Sequence, residues 1–137
     1  MCLTQESDYA IRIIYCLANE NARCDAGFIS AKMGITLRFS LKILGKLVQG
    51  GLVNSFKGNK GGYQLAVPAG QISVKDVIEA VEGEYRLSRC VGDDSGCNRG
   101  AAGYCKFHKA FAEISRDVNK RLSEMTFDKF LDEKDNG

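Results

Sequence analysis

Residues 26–67 read AGFISAKMGITLRFSLKILGKLVQGGLVNSFKGNKGGYQLAV, and this stretch decides the fold. Asp25 predicts the start of a short helix, AGFISAKM, which Gly34 ends. Thr36 predicts the start of a longer helix, LRFSLKILGKLVQ, which ends at Gly50. The runs LVNSF and YQLAV are β-prone, and the Gly-rich KGNKGG between them predicts a hairpin. The stretch therefore predicts a helix-turn-helix followed by a β-hairpin wing.

The charge of this region has one sign. Residues 26–75 contain seven Lys and Arg residues and no Asp or Glu, although the whole chain has a net charge of only +2. Thirteen acidic residues lie in residues 76–137. A long basic segment without acids indicates a surface that binds a polyanion. A solvated basic face is the plain alternative, and the helix-turn-helix pattern favours DNA over it.

The longer helix has two faces in the sequence. Leu37, Phe39, Ile43, Leu44 and Leu47 are expected to form its apolar stripe. Basic and polar residues recur at i, i+4, i+8 and i+11 on the opposite face, as a helix entering the major groove requires. We expect base contacts from the start of this helix, and phosphate contacts from its later turns and from the hairpin tip. The predicted DNA-binding residues are Thr36, Arg38, Lys42, Lys46, Lys57, Asn59 and Lys60.

A second informative stretch, CVGDDSGCNRGAAGYCKFH, covers residues 90–108. It places Cys90, Cys97 and Cys105 in one Gly-rich segment, with His108 one helical turn after Cys105. Three thiolates and one imidazole can close a four-ligand shell around iron or zinc. The gaps of six and seven residues exceed the short C-x2-C pairs of zinc sites, which favours a larger inorganic cluster. Three unrelated free cysteines are the alternative, which leaves unexplained why half of the six cysteines fall in one polar loop.

A further helix is predicted before the helix-turn-helix, from about residue 5 to residue 19, after Thr4. Its middle is apolar nearly all round, so it should be buried on several sides. Asp8 lies in its first turn, where a carboxylate interacts favourably with the helix dipole. Cys16 is expected in the core, whereas Cys2 and Cys24 are expected at exposed positions.

Two helices are predicted after the hairpin. Ser73 caps the helix VKDVIEAVE, with Asp76 in the capping-box position and Gly83 at the end. The last helix should run from about Tyr104 to Met125, and its apolar residues approximate an a/d seam. We expect a second copy of the chain to cover this seam; packing against its own domain is the alternative. The seam consists of Phe107, Phe111, Ile114, Val118, Leu122 and Met125.

The predicted fold is mostly α-helical with a small β-hairpin. A winged helix-turn-helix DNA-binding domain is expected at 1–83, a cluster-binding loop and long dimerisation helix at 84–125, and a C-terminal tail at 126–137. A chain of 137 residues that is 45% hydrophobic can bury one core, and it contains no apolar run long enough to span a membrane. The N-terminus lacks a signal-peptide pattern, so a cytoplasmic location is expected, where clustered thiols indicate metal more often than disulfides.

The chain resembles, over nearly its full length, the Rrf-two family of bacterial winged-helix regulators. The resemblance lies in the opening LTQESDYAIR, the run ITLRFSLKILGKLVQGGLVNSFKGNKGGYQL, the helix ISVKDVIEAVEG and the three clustered cysteines. It implies a homodimer that binds semi-palindromic promoter DNA and is not an enzyme. It also implies an iron–sulfur cluster held by the three cysteines, whose state sets DNA binding in response to redox, nitric oxide or cluster supply.

The resemblance offers two fourth ligands. In IscR-like members a His three residues after the third Cys completes a 2Fe–2S site, and His108 stands at that position. In NsrR-like members an Asp of the first helix, from the other subunit, completes a 4Fe–4S site, and Asp8 matches it. We favour His108 and a 2Fe–2S cluster, because His108 shares a helical face with Cys105 and needs no second chain.

Other hypotheses remain at this point. A CymR-like regulator without metal, controlled by a partner protein, and a zinc-binding repressor are the alternatives within the same class. An electron-transfer protein would not need an acid-free helix-turn-helix and wing. The GNKGG turn lacks the Gly-Lys-Ser/Thr of a P-loop, so nucleotide binding is not expected. Leu41 stands where IscR-like recognition helices carry a Glu that reads bases.

Overall fold

The structure is a computed structural model that describes residues 3–83 and 106–132. The predicted ligands Cys90, Cys97 and Cys105 lie outside these ranges, as does Cys2. Within them the chain forms helices and one antiparallel hairpin, which confirms the predicted fold class. The elements are α1 (Gln5–Glu20), α2 (Ala26–Met33), α3 (Leu37–Gln49), β1 (Val53–Phe56), β2 (Gly62–Leu65), α4 (Val74–Glu82) and α5 (Lys106–Glu124), with short 3-10 turns at Ala69–Gln71 and Phe127–Phe130.

The helix starts are set by the side chains that the sequence predicts as caps. Thr4 accepts a hydrogen bond from the backbone of α1 at 3.2 Å, and Asp25 does the same for α2 at 2.7 Å. Thr36 accepts from the backbone of α3 at 3.2 Å. Ser73 and Asp76 form a complete capping box at the start of α4, with bonds of 3.1 and 2.9 Å. Each cap satisfies a backbone N–H that the helix itself leaves without a partner.

The core forms around α1, which packs against α2, α3 and α4. Its residues Ile13, Ile14 and Leu17 are fully buried, as the nearly all-round apolar pattern predicts. The α3 side of the core consists of Ser40, Ile43, Leu44 and Leu47.

Leu37 does not belong to this buried stripe, and that prediction is wrong. Its side chain is 49% exposed, because it occupies the first residue of α3, at the edge of the buried face. Cys16 is buried as predicted, but Cys24 is also buried, at 7% exposure, where an exposed position was expected. The backbone of Cys24 pairs in both directions with that of Tyr63, at 2.9 and 2.7 Å, and this pairing draws the segment before α2 against the hairpin.

The chain remains packed beyond the predicted start of the tail at residue 126. Phe127 is only 2% exposed, and its N–H donates to the carbonyl of Ile72 at 3.0 Å. Val74 N–H donates to Met125 O at 2.9 Å, so the end of α5 lies beside the start of α4. The described ranges hold no helix with the length and hydropathy that crossing a membrane requires.

Candidate functional site

The face of α3 opposite the core is exposed and basic. Arg38 and Lys42 are both exposed, and Lys42 Nζ lies 5.6 Å from the ring centroid of Phe39. Leu37 and Leu41, at 49% and 45% exposure, lie one turn apart beside them. The outward side of the helix thus combines two cations with two leucines. Thr36 caps α3, because its hydroxyl oxygen accepts a hydrogen bond from the backbone N–H of Phe39.

Lys46 points elsewhere. Its ammonium Nζ lies 2.5 Å from Glu6 Oε1 of α1 and 3.5 Å from the carbonyl of Val81 in α4. Successive steps of four residues along a helix advance by about 40° each, so Lys46 is turned about 80° from Arg38. The charge of Lys46 is therefore compensated within the fold, while Arg38 and Lys42 face outward.

The hairpin carries the other predicted contacts at its tip. Lys57, Asn59 and Lys60 are all exposed, between strands paired from Val53 with Leu65 to Phe56 with Gly62. Because β1 follows α3 directly and packs against it, the hairpin belongs to the same unit as the basic face.

The sequence prediction missed Arg23, which reaches the hairpin from the segment before α2. Its guanidinium carbon lies 3.6 Å from the ring centroid of Phe56, and Nη1 donates to the carbonyl of Lys60 at 2.9 Å. No local pattern indicates this contact, since it depends on the pairing of Cys24 with Tyr63.

Of the four favoured metal ligands, the structure describes only His108. Its ring is partly buried, and its Nδ1 atom is shielded from solvent without a hydrogen bond to any residue of the described ranges. A buried imidazole nitrogen left without a partner needs an explanation, and a metal ligand is one. Residues 3–83 and 106–132 by themselves hold no group of three or more metal-binding side chains.

Asp8, the alternative ligand, is engaged on the surface of α1. Its carboxylate lies 2.9 Å from Arg12 Nη2 in an i, i+4 ion pair, and both side chains are about half exposed. Such a carboxylate is accessible to a second chain, but it already has a cationic partner.

The two described cysteines have the chemistry of core thiols. Burial raises the pKa of Cys16 to about 11, and burial likewise raises the pKa of Cys24. Both therefore stay protonated at neutral pH, whereas a metal ligand must be a thiolate.

Helix α5 leaves part of its apolar side uncovered. Phe107 is 66% and Ile114 44% exposed, and the rings of Phe107 and Phe111 lie 6.2 Å apart between centroids. Leu122 and Met125, at the other end of the predicted seam, pack against the core of their own chain. The seam is thus covered at its C-terminal end, and Phe107 and Ile114 in its N-terminal half are exposed among the described residues.

Comparisons with known proteins agree with this architecture. The family model described as "Rrf2: Iron-dependent Transcriptional regulator" matches residues 3–133. An HTH-type transcriptional regulator of Neisseria meningitidis serogroup A is 32% identical, over all of this chain and 92% of its own. The HTH-type transcriptional regulator IscR of Cronobacter sakazakii is 31% identical, over 98% of this chain and 83% of its own.

A solved structure shares the fold. CymR (YrzC), the global cysteine regulator of B. subtilis, superposes with a TM-score of 0.75 at 19% identity, covering 95% of each chain. The relatives are DNA-binding transcription regulators and not enzymes. This confirms the prediction of a transcription regulator and the prediction that the protein is not an enzyme. The helix-turn-helix, the hairpin and the match over nearly the whole chain together show that this protein belongs to the Rrf2 (Rrf-two) family of transcriptional regulators.

Proposed function

We propose that this regulator binds promoter DNA as a homodimer, through α3 and the hairpin, and that an iron–sulfur cluster sets its affinity for the operator. The observation that carries the DNA part is the outward face of α3. Arg38 and Lys42 are exposed there, and residues 26–75 contain no acidic residue that would repel phosphates. A basic helix of 13 residues with an uncovered face fits the major groove of B-DNA.

Different residues have different tasks in this proposal. Arg38 and Lys42 reach base edges from the first turns of α3, with Thr36 beside them at its start. Lys57 and Lys60, with Asn59, hold phosphates from the hairpin tip. Lys46 stands at the edge of the interface, because its charge is already balanced by Glu6.

The leucines of α3 suggest what kind of base is preferred. Leu37 and Leu41 cannot hydrogen-bond a base, but they can pack against the methyl group of thymine, the only methyl in the major groove. Because Leu41 replaces the Glu of IscR-like helices, we expect an operator with thymine opposite this position.

A salt titration tests the DNA part. An operator is first selected from a random DNA library, and the affinities of the wild type and Lys57→Ala are then measured over a range of salt. Loss of one phosphate contact should weaken all sequences alike and lower the slope of log K against log salt by about one unit. Lys120→Ala, on the exposed side of α5, is the matched control. A Lys57→Ala variant that changed only the preferred bases would contradict this division of tasks.

The dimer in this proposal forms through α5. A second copy covers the open apolar side that includes Phe107 and Ile114, and it places the two α3 helices about 34 Å apart, one turn of DNA. Ile114→Lys should then give a monomer in analytical ultracentrifugation, whereas Arg116→Lys should remain a dimer. A dimer that persisted in Ile114→Lys would place the contact elsewhere.

The cluster in this proposal is bound by Cys90, Cys97 and Cys105 with His108 as the fourth ligand. Three thiolates and an imidazole fit a 2Fe–2S cluster. The buried Nδ1 of His108, which has no hydrogen-bond partner within residues 3–83 and 106–132, supports its place in the set. When bound, such a cluster supplies reversible redox chemistry and can be lost or modified. The protein's own contribution is to hold the thiolates and to keep His108 on the first turns of α5.

The test is the colour of the protein purified without oxygen, with its iron and sulfide content. Changing any of Cys90, Cys97 or Cys105 to Ala should abolish the visible chromophore. His108→Ala should shift or destabilise it, while Asp8→Ala should leave it nearly intact. The reverse result for the last two would favour Asp8 and a 4Fe–4S cluster shared between subunits. Tight zinc without iron, or no metal at all, would favour a zinc-binding repressor or a regulator controlled by a partner protein.

A further inference from the structure

Three consecutive residues connect the hairpin to the helix-turn-helix. Arg23 contacts both ends of the hairpin turn, since Phe56 is the last residue of β1 and Lys60 lies at the tip. Cys24 pairs with Tyr63 through two backbone hydrogen bonds. Asp25 caps α2 with a bond of 2.7 Å to the N–H of Phe28. These three residues therefore couple the position of the hairpin to the start of α2, the first helix of the helix-turn-helix.

The fit between these segments is close. A Cβ atom built on Gly62 would lie 2.7 Å from the carbonyl oxygen of Cys24, and the φ of Gly62 is +142°, so glycine is required there on both grounds. The start of β2, next to the turn, is thus packed closely against the segment 23–25. The tip contains Gly58 and Gly61, and Arg23 donates a hydrogen bond to it from outside the hairpin, to the carbonyl of Lys60 at 2.9 Å.

We infer that Arg23 is a positioning residue for the hairpin, which holds the tip in the orientation that presents Lys57 and Lys60 to the DNA backbone. This inference rests on the proposed role of the hairpin in DNA binding. The planar guanidinium suits the task, because it can stack on Phe56 and donate to the Lys60 carbonyl at the same time. A tip ordered before binding costs less conformational entropy when it meets the DNA.

Direct phosphate binding by Arg23 is the competing explanation, since its side chain is exposed. The two explanations differ in whether a lysine at position 23 can take over the function of Arg23. Lysine keeps the charge, but it cannot stack as a plane while donating in a fixed direction. If Arg23 positions the tip, Arg23→Lys should therefore lose DNA affinity. If Arg23 binds phosphate directly, Arg23→Lys should keep most of that affinity.

The experiment compares Arg23→Ala and Arg23→Lys with the wild type on an operator selected from a random library, over a range of salt. Both variants should bind roughly 3- to 10-fold more weakly, from the loss of one stacked contact and one hydrogen bond. Arg23→Lys should keep the wild-type salt slope. In a Lys57→Ala, Lys60→Ala background the effect of Arg23→Ala should shrink to below about twofold, because a misplaced tip no longer matters. Arg116→Lys is the matched control on α5.

Amide hydrogen exchange without DNA gives a second readout. The N–H of Gly61, bonded to Gly58 O at 2.9 Å within the turn, should exchange faster in both Arg23 variants, while amides of α3 stay unchanged. Unchanged exchange in the turn would overturn the inference. So would wild-type affinity in Arg23→Lys together with an Arg23→Ala effect that persists in the Lys57→Ala, Lys60→Ala background. If those two lysines themselves proved irrelevant to DNA binding, the proposed role of the hairpin would fail, while faster exchange would still support Arg23 as the residue that orders it.

Discussion

Replacing Leu41 with alanine should remove a preference for thymine without unfolding the protein. Leu41 is 45% exposed on the outward side of α3, next to Lys42 and one turn after Leu37. It fills no space in the core, and alanine is at least as good a helix former. The free energy of unfolding should therefore change by less than about 0.5 kcal/mol. Any effect on DNA binding then reports the contact and not the fold.

The size of the effect follows from the group that is buried. Packing one methyl or methylene group away from water is worth about 0.8 kcal/mol. That corresponds to roughly a fourfold change in affinity, since 1.36 kcal/mol is tenfold. The same amount should be lost when the base, instead of the protein, is changed. Deoxyuridine differs from thymidine only by this methyl group, so it removes the contact without altering base pairing.

The assay is fluorescence anisotropy with a selected operator in which each thymine of one half-site is replaced in turn by uracil. In the wild type one or two positions should cost about fourfold each. With Leu41→Ala the penalty at one of these positions should disappear. Phe28→Ala, at an exposed aromatic of α2, is the control and should keep the wild-type pattern. An equal uracil penalty in wild type and Leu41→Ala would refute the contact.

Three further outcomes follow from the same structure. Thr36→Ala should lower the free energy of unfolding by about 1 kcal/mol through loss of the α3 cap, whereas Thr36→Ser should keep most of it, as urea denaturation will measure. Native Cys16 should resist iodoacetamide at pH 8 and react after unfolding, because its pKa of about 11 leaves almost no thiolate; rapid labelling of the native protein would contradict its burial. Lys46→Ala should weaken operator binding less than Lys57→Ala does, and an equal loss would mean that the pair with Glu6 opens on DNA.

The sequence was sufficient for features that depend on near neighbours. The four helix caps and the hairpin turn are determined within a few residues, and Thr36, Ser73 and Asp76 act as predicted. Lys57 and Lys60 are exposed for the same reason, since a Gly-rich turn between two short strands has little apolar surface to bury. Their contact with phosphates remains a prediction.

Features that depend on distant partners could not be predicted in this way. The burial of Cys24 follows from its pairing with Tyr63 in the hairpin, and Arg23 reaches Phe56 through the same pairing. The partner of Lys46 is Glu6, a residue of another helix. A charge count along the chain therefore overstated the basic face, because it could not include an acid that folding brings beside it.

The arrangement of α4 and α5 limits how the state of the cysteine segment can affect DNA binding. This segment follows α4 and precedes α5, and the other ends of the two helices are joined by the pairing of Ser73 with Thr126 and the bond from Val74 N–H to Met125 O. We therefore expect a change in the cysteine segment to tilt the two helices about this joined end.

Helix α4 would transmit such a tilt to the DNA-binding unit, because it packs against both α1 and α3. The two helices lie close together at the end of α3, where a Cβ on Gly50 would lie 3.0 Å from that of Ala80. Packed interfaces of this kind favour one of two arrangements and resist gradual deformation. A typical coupling of 1–3 kcal/mol would change operator affinity by about 5- to 150-fold between the two cluster states. Affinity for non-specific DNA should change much less, because the exposed lysines of the hairpin keep their charge in both states.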